Sequence, residues 1–120
     1  MDNYIYIKEN YYYQVYLEVA LRGADYVFGF INISHIPYSK FEELFKPQVT
    51  YERCLFDDSL GYMIEEELYN KHKEFFDEEI PFTFDFNLFE YSVSLAGDKL
   101  EKYKKDYYEE PPPIFDVEVK

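Results

Sequence analysis

Carboxylates are the reactive groups this chain supplies in quantity, and they are unevenly placed. Between Asp57 and Glu90 stand 11 acids against two bases, Lys71 and Lys73, a local net charge of −9 within a total of −13. The rest of the chain nets only −4. Carboxylates at such density serve metal binding, acid–base chemistry or electrostatic docking. Metal binding fits poorly. Asp57, Asp58, Glu65, Glu66 and Glu67 offer hard oxygen ligands, but their spacing matches no EF-hand loop and there is no His-Glu-x-x-His. Consecutive helical acids also point in different directions. Acid–base catalysis needs a distinguished pair, and nothing singles one out. Docking remains, and its candidate residues are Asp57, Asp58, Glu65, Glu66, Glu67, Glu74, Asp77, Glu78 and Glu79. A solvated helix face usually mixes signs, whereas this one does not. A plainer role, keeping a very aromatic chain in solution, draws on the same charge.

Nucleophilic chemistry has three candidates. Cys54 lies in Tyr51-Glu52-Arg53-Cys54-Leu55-Phe56, outside any nucleophile motif, and reads as a buried or incidental thiol. A catalytic cysteine needs a base, and His35 and His72 are the available ones. His72 falls on an apolar helical stripe, which suits a packed core or boundary histidine. His35 precedes Pro37 and belongs to a loop. With four glycines and no glycine-rich phosphate loop, no cofactor is expected. The residues therefore imply a non-enzyme with no catalytic residues, no metal and no cofactor.

The charge also narrows the partners. A chain at −13 repels DNA, RNA and anionic lipid and attracts basic protein surfaces. No run approaches the roughly 18 to 20 apolar residues of a membrane span. The opening MDNYIYIKEN has neither a basic n-region nor an apolar h-region, so a secretory signal is not expected and a cytoplasmic location is the default. A lone cysteine fits a reducing compartment. Fifteen Tyr and 12 Phe with no Trp leave some rings exposed, since Tyr11-Tyr12-Tyr13 and Tyr107-Tyr108 cannot all point inward. Tyrosine at a surface favours interfaces. Oligomeric state is open.

These residues must be positioned by elements legible from periodicity. Val15, Leu17, Val19 and Leu21 alternate with polar neighbours, and Gly23-Ala24-Asp25 turns the chain into Tyr26–Ile31, an antiparallel hairpin. Tyr4–Ile7 forms a separate short strand or a continuation across Lys8-Glu9-Asn10. Ser39-Lys40-Phe41-Glu42 fits a capping box, followed by the stripe Phe41, Leu44 and Phe45, with Pro47 ending the helix. Gln48–Tyr62 reads as irregular. A second helix is expected over Ile64–Phe76, with Ile64, Leu68, His72, Phe75 and Phe76 inward and three glutamates in its first turn, at the positive end of its dipole. From Phe82 the period returns to two. The apolar parity flips between Phe86 and Phe89, which implies a bulge or tight turn near Asp85-Phe86-Asn87. Gly97 is expected to end the strand.

The order gives an α+β fold, a mainly antiparallel sheet with two helices on one face, over residues 1–97. Residues 98–120 form a C-terminal extension. In it Leu100, Tyr103 and Tyr107 have helical spacing, Pro111-Pro112-Pro113 enforces an extended break, and Phe115, Val117 and Val119 form either an edge strand or a loosely attached tail.

In size, acidity and aromatic content the chain resembles small bacterial immunity proteins, inhibitors of polymorphic or contact-delivered toxins, and the run from Asp58-Ser59-Leu60-Gly61-Tyr62 through the acidic helix to Phe84-Asp85-Phe86-Asn87-Leu88-Phe89-Glu90-Tyr91 is similar in layout to an uncharacterised family of small bacterial domains found near such toxin systems. The resemblance covers residues 12–96. It implies an acidic surface that plugs the basic cleft of a nuclease-like toxin, and it brings no catalytic residues with it. The alternative is a phage anti-defence protein whose carboxylates imitate nucleic-acid phosphates and block a CRISPR or restriction complex. A third reading is an enzyme with an unrecognised site.

Overall fold

The structure, a computed structural model, describes residues 3–8, 10–24, 27–48, 61–99 and 107–109. Cys54, Asp57, Asp58, Leu100, Tyr103 and everything from Pro111 onward lie outside the described residues. The architecture is α+β, a mainly antiparallel sheet carrying short helices. Its axis is β2 (Tyr11–Leu21), the strand with the cleanest period-two alternation. One edge of β2 pairs along all eleven residues with β5 (Phe89–Lys99), from Tyr11↔Lys99 to Leu21↔Phe89. Its other edge is shared. β1 (Asn3–Lys8) covers Tyr11–Tyr13, and β3 (Val27–Asn32) covers Tyr16–Ala20. The three-residue β4 (Tyr62–Ile64) lies antiparallel outside β5, and β6 (Tyr107–Glu109) lies parallel outside β1.

Splitting an edge between two strands threatens to orphan the backbone at the join, and Ser34 solves this. Its Oγ accepts the Val15 N–H at 2.9 Å, while the neighbouring Ile33 N–H donates to the Val15 carbonyl at 2.9 Å. The Ser34 N–H donates to Asn32 Oδ1, and its carbonyl accepts from Tyr4 N at 2.7 Å. One buried serine thus ties β1, β2 and the end of β3 together. The hairpin turn uses Gly23 at φ +76°, the value the third position of a type II turn requires, with Ala24 N–H donating to the Leu21 carbonyl. Past that turn the β2–β3 register slips at Val19/Ala20, so Phe28 is an extra residue in β3.

The odd-numbered side of β2 faces the helices. Val15, Leu17 and Val19 form one core with Tyr91 and Val93 of β5, with Tyr38, Phe41, Leu44 and Phe45 of α1 (Tyr38–Phe45), and with Phe76. On the opposite face Ile5, Ile7 and Gln14 are also buried.

Several elements differ from the sequence expectations. Helix α1 starts two residues earlier than the capping box requires. Pro37, extended at φ −71° and ψ 155°, occupies the N-cap, and its carbonyl accepts from Lys40 and Phe41, so the Ser39 hydroxyl caps nothing. A proline-fixed φ and a free carbonyl suffice to begin the helix. The expected helix Ile64–Phe76 is two pieces, α2 (Glu66–Lys71) and α3 (Lys73–Glu79), broken at His72. Ile64 belongs to β4, with its side chain buried as its stripe position implies. Gln48, expected in an irregular stretch, closes the 3-10 turn Lys46–Gln48. Its amide pairs both ways with the Met63 backbone and thereby satisfies the outer edge of β4.

Phe82, Phe84 and Phe86 do not form a strand. They alternate along an extended segment with no ladder, and the parity flip is a tight turn in which Asp85 Oδ1 accepts from Asn87 and Leu88. β5 starts after that turn and runs through Gly97 to Lys99. Gly97 is there for space, because a Cβ would sit 2.4 Å from the Tyr13 ring and 2.7 Å from the Tyr12 carbonyl. Tyr107 is in a strand, not a helix, because Asn3 and Tyr4 of β1 offer a ladder to it and to Tyr108.

Two substitutions test this frame by urea unfolding. Ser34→Ala leaves a buried Val15 N–H without an acceptor and should cost about 1–3 kcal/mol. Gly97→Ala forces the Tyr13 ring and the adjacent backbone aside, with a loss of about 1–3 kcal/mol expected. Unchanged unfolding midpoints would show that the splice and the ring-over-glycine contact carry no stability.

Candidate functional site: an acidic helical face on an aromatic base

The acidic surface begins where β4 ends. Tyr62 and Ile64 turn inward against Val93 and Tyr91, and the chain then enters α2 directly through Glu65, its N-cap residue. Glu66 and Glu67 fill the first turn, where the unpaired amides carry partial positive charge. At His72 the backbone leaves helical geometry (φ −123°, ψ 33°). Its N–H still closes α2 on the Leu68 and Tyr69 carbonyls, while its carbonyl accepts the first bond of α3 from Phe76. Glu74 lies in the first turn of α3, and Glu78 one turn further on.

Beneath these helices is a continuous aromatic packing. The Phe84 ring lies 4.7 Å from both Tyr69 and Tyr91, and Phe86 and Phe82 contact Tyr91 at 5.2 and 5.7 Å. Phe76 of α3 meets Tyr69 at 6.0 Å and Phe84 at 5.8 Å. The Tyr91 hydroxyl accepts the Asp85 N–H at 2.7 Å, and burial raises its pKa. The segment 82–86 thus serves as a floor for α2 and α3 in place of a strand, and it fixes where their acids stand.

The nine docking candidates do not share one fate. Asp57 and Asp58 lie outside the described residues. Glu65, Glu66, Glu67, Glu74 and Glu78 are exposed and make no ion pair or side-chain hydrogen bond among the described residues. Asp77 is engaged. It accepts from the Tyr69 hydroxyl and from Lys73 Nζ at 2.6 Å. Those bonds, Lys73 first and Tyr69 second, hold its carboxyl below the usual range, and the bond to Asp77 raises both Lys73 and Tyr69. Glu79 faces elsewhere. It is half-buried, and its Oε2 lies 3.0 Å from His35 Nε2, so the pair ties the β3–α1 turn to α3. Of the two other acids in the run, Asp85 is spent on its turn, and Glu90 pairs with Arg22 at 3.5 Å.

Arg22 carries no sequence signal of its role. Its guanidinium also donates to the Phe86 and Phe89 carbonyls, anchoring the hairpin turn to the start of β5 across more than 60 residues of sequence. It borders a cleft of about 570 Å³ that Glu65, Glu66 and Glu90 rim and Phe86 and Tyr91 back. A second cleft, about 470 Å³, lies between α1 and α3 and holds His35, Ser39, Lys40, Glu43 and Glu79. The His35–Glu79 pair has half of a hydrolytic relay, but Ser39 makes no hydrogen bond to His35, so this serine is not activated. Lys40 is bound to Glu43 at 2.6 Å, which lowers the Glu43 pKa, and it caps the Phe75 ring. Among the described residues no three His, Cys, Asp or Glu converge as a metal site, and no helix is long and apolar enough to cross a membrane.

No protein-family model, curated protein or solved structure matches this chain. The fold and surface define a class nonetheless: a small α+β domain presenting unpaired glutamates on two short helices over a packed aromatic floor.

The Tyr69–Asp77–Lys73 set yields a pH dependence with a definite sign. Asp77 is depressed, so its contribution is whole at neutral pH and fades as pH falls through and below the ordinary carboxylate range. Tyr69 and Lys73 are raised, so theirs is whole below about pH 10 and fades above it. Melting temperatures of Asp77→Asn between about pH 3 and about pH 11 should show both limbs flatter than in the parent protein. Parallel curves for the two proteins would remove the network from any account of the acidic face.

Proposed function

We propose that this protein is a non-catalytic inhibitor that uses its acidic helical face to bind and block a basic partner, as an immunity protein does a nuclease-like toxin. The observation that carries the reading is the set Glu65, Glu66, Glu67, Glu74 and Glu78, exposed and unpaired in a chain that pairs its other acids on α3. Surface carboxylates outside any ion pair, in a run of 11 acids against two bases, keep most of their field for a partner. The aromatic floor supports the reading too. Carboxylates held on packed helices lose little freedom on docking, so less of the interaction is spent on ordering. On the basic walls of a nuclease cleft such groups take positions that phosphates would otherwise fill. Glu79 and Asp77 leave the docking set in this reading, because each is bound within the fold.

The test is direct. A toxin gene is expected directly upstream of the gene for this protein, and the two products should co-purify. Association should be fast at low ionic strength and slow steeply as salt rises. Reversing Glu65, Glu66 and Glu67 together to Lys should lower the association rate on the order of tenfold or more without unfolding the domain, the melting temperature falling only modestly as lysines replace acids at the positive end of α2. An association rate indifferent to salt and to these reversals would sink the electrostatic reading. A nucleic-acid-binding defence complex as the co-purifying partner would transfer the same chemistry to an anti-defence role.

A further inference from the structure

The second surface that stands out is the opposite of the first. Among the described residues β3 pairs with β2 alone, so its outer edge presents unpaired backbone N–H and C=O groups. Native edge strands are normally shielded by charge, proline or brevity. β3 lacks all three, and its one irregularity is the single-residue bulge at Phe28. It is six residues long, VFGFIN, and contains no charge and no proline. Val27, Phe28 and Phe30 expose 43%, 65% and 63% of their surface. Beside this edge an apolar cleft of about 320 Å³ opens over Gly29, walled by Val19, Ile31, Phe82, Phe89 and Tyr91. From Tyr26 to Ser39 the sequence holds no Asp, Glu, Lys or Arg, its longest charge-free run. Glu18, across from Phe30 on β2, accepts from Ser92 Oγ at 3.2 Å and keeps its negative charge beside the edge.

We propose that β3 is a self-association edge, on which β3 of a second copy pairs antiparallel about a two-fold axis to continue the sheet. Charge selects the occupant. A basic partner gains little from a strand that carries no charge of its own, whereas a second acidic copy can approach where its acids are sparse. The sheet order helps. β4, which leads into Glu65–Glu67, is separated from β3 by β5 and β2, three strand spacings or about 14 Å. That exceeds the Debye length of about 8 Å at physiological ionic strength, so repulsion between the Glu65–Glu67 ends of two copies is largely screened at the β3 edge. An antiparallel pair of one strand with itself is self-complementary, as an isologous two-fold contact requires. The affinity is modest. Two aromatic rings at about two-thirds exposure give roughly 200–300 Å² per copy, or about 500 Å² for the pair before backbone is counted. This falls below the approximately 1,200 Å² of stable interfaces and points to a concentration-dependent dimer.

The experiment is sedimentation velocity of the full chain from low micromolar to several hundred micromolar, at low and at physiological salt. A monomer–dimer equilibrium that tightens with added salt is expected. Phe30→Glu and, separately, Val27→Lys should each weaken the dimer at least tenfold while circular dichroism shows an unchanged fold, since neither side chain is buried in the core. A monomer at every concentration overturns the proposal, as does a dimer that neither substitution weakens. Should the chain stay monomeric while hydrogen exchange shows β3 protected by a bound partner, the edge belongs to that partner and the self-association reading fails.

Discussion

An eleven-residue strand in the middle of a sheet has two edges to satisfy, and that requirement on β2 organises the rest of the molecule. β5 meets it on one side by matching β2 residue for residue. On the other side no single strand is long enough, and the edge is divided between β1 and β3 with Ser34 at the join. A buried amide without an acceptor costs about 1–3 kcal/mol. Domains are stable by about 5–15 kcal/mol, so a defect at the join would consume a sizeable part of that margin. The same division leaves β3 on the outside of the sheet, and its edge free among the described residues.

The acidic face sets repulsion against packing. Two glutamates about 8 Å apart repel by roughly 0.5 kcal/mol in water and about 2 kcal/mol in the less polarisable environment near a protein surface. Several such pairs on α2 and α3 cost a few kcal/mol, reduced by salt and by the amide dipoles of the first turn. Against this stands the floor of Tyr69, Phe76, Phe82, Phe84, Phe86 and Tyr91. Each large side chain withdrawn from water contributes about 1.5–3 kcal/mol, and well-set ring pairs add about 0.5–1.5 kcal/mol. Phe76 and Tyr91 are buried and the other four rings half-buried, so the packing opposes a repulsion of comparable or smaller size. The aromatic richness of the chain and its acidity are therefore linked, since the rings make it possible to hold like charges close together.

Sequence periodicity revealed those elements whose structure is repetitive. The β2–β3 hairpin, the α1 stripe and the odd-numbered face of β5 follow from alternation or helical spacing. What it misplaced depends on contacts distant in sequence. Phe82, Phe84 and Phe86 alternate like a strand, but their partners are rings, not a backbone ladder. Ile64 sits at a helical spacing but is drawn into a strand by Tyr91. Gly97 looks like a terminator, yet it is retained inside the strand to admit the Tyr13 ring. The acidic run was plain in the sequence, but its division was not. Asp77 and Lys73 are one helical turn apart and form a local pair, whereas Glu79 with His35 and Glu90 with Arg22 meet only in the folded chain.

The two surfaces respond to ions in opposite ways, and that opposition couples them. Screening weakens the attraction of Glu65, Glu66 and Glu67 for a basic surface, because that attraction is made of the field salt removes. At β3 the attraction is apolar and hydrogen-bonded, and the field there is purely repulsive, so salt removes an obstacle. A basic partner on the acidic face would neutralise charge and act on the β3 edge as salt does. Contact at one proposed surface would thus favour contact at the other without any change of shape, through the electrostatics of a chain at −13. The coupling is small, since the β4 and β3 edges are separated by more than a Debye length, and it grows as ionic strength falls.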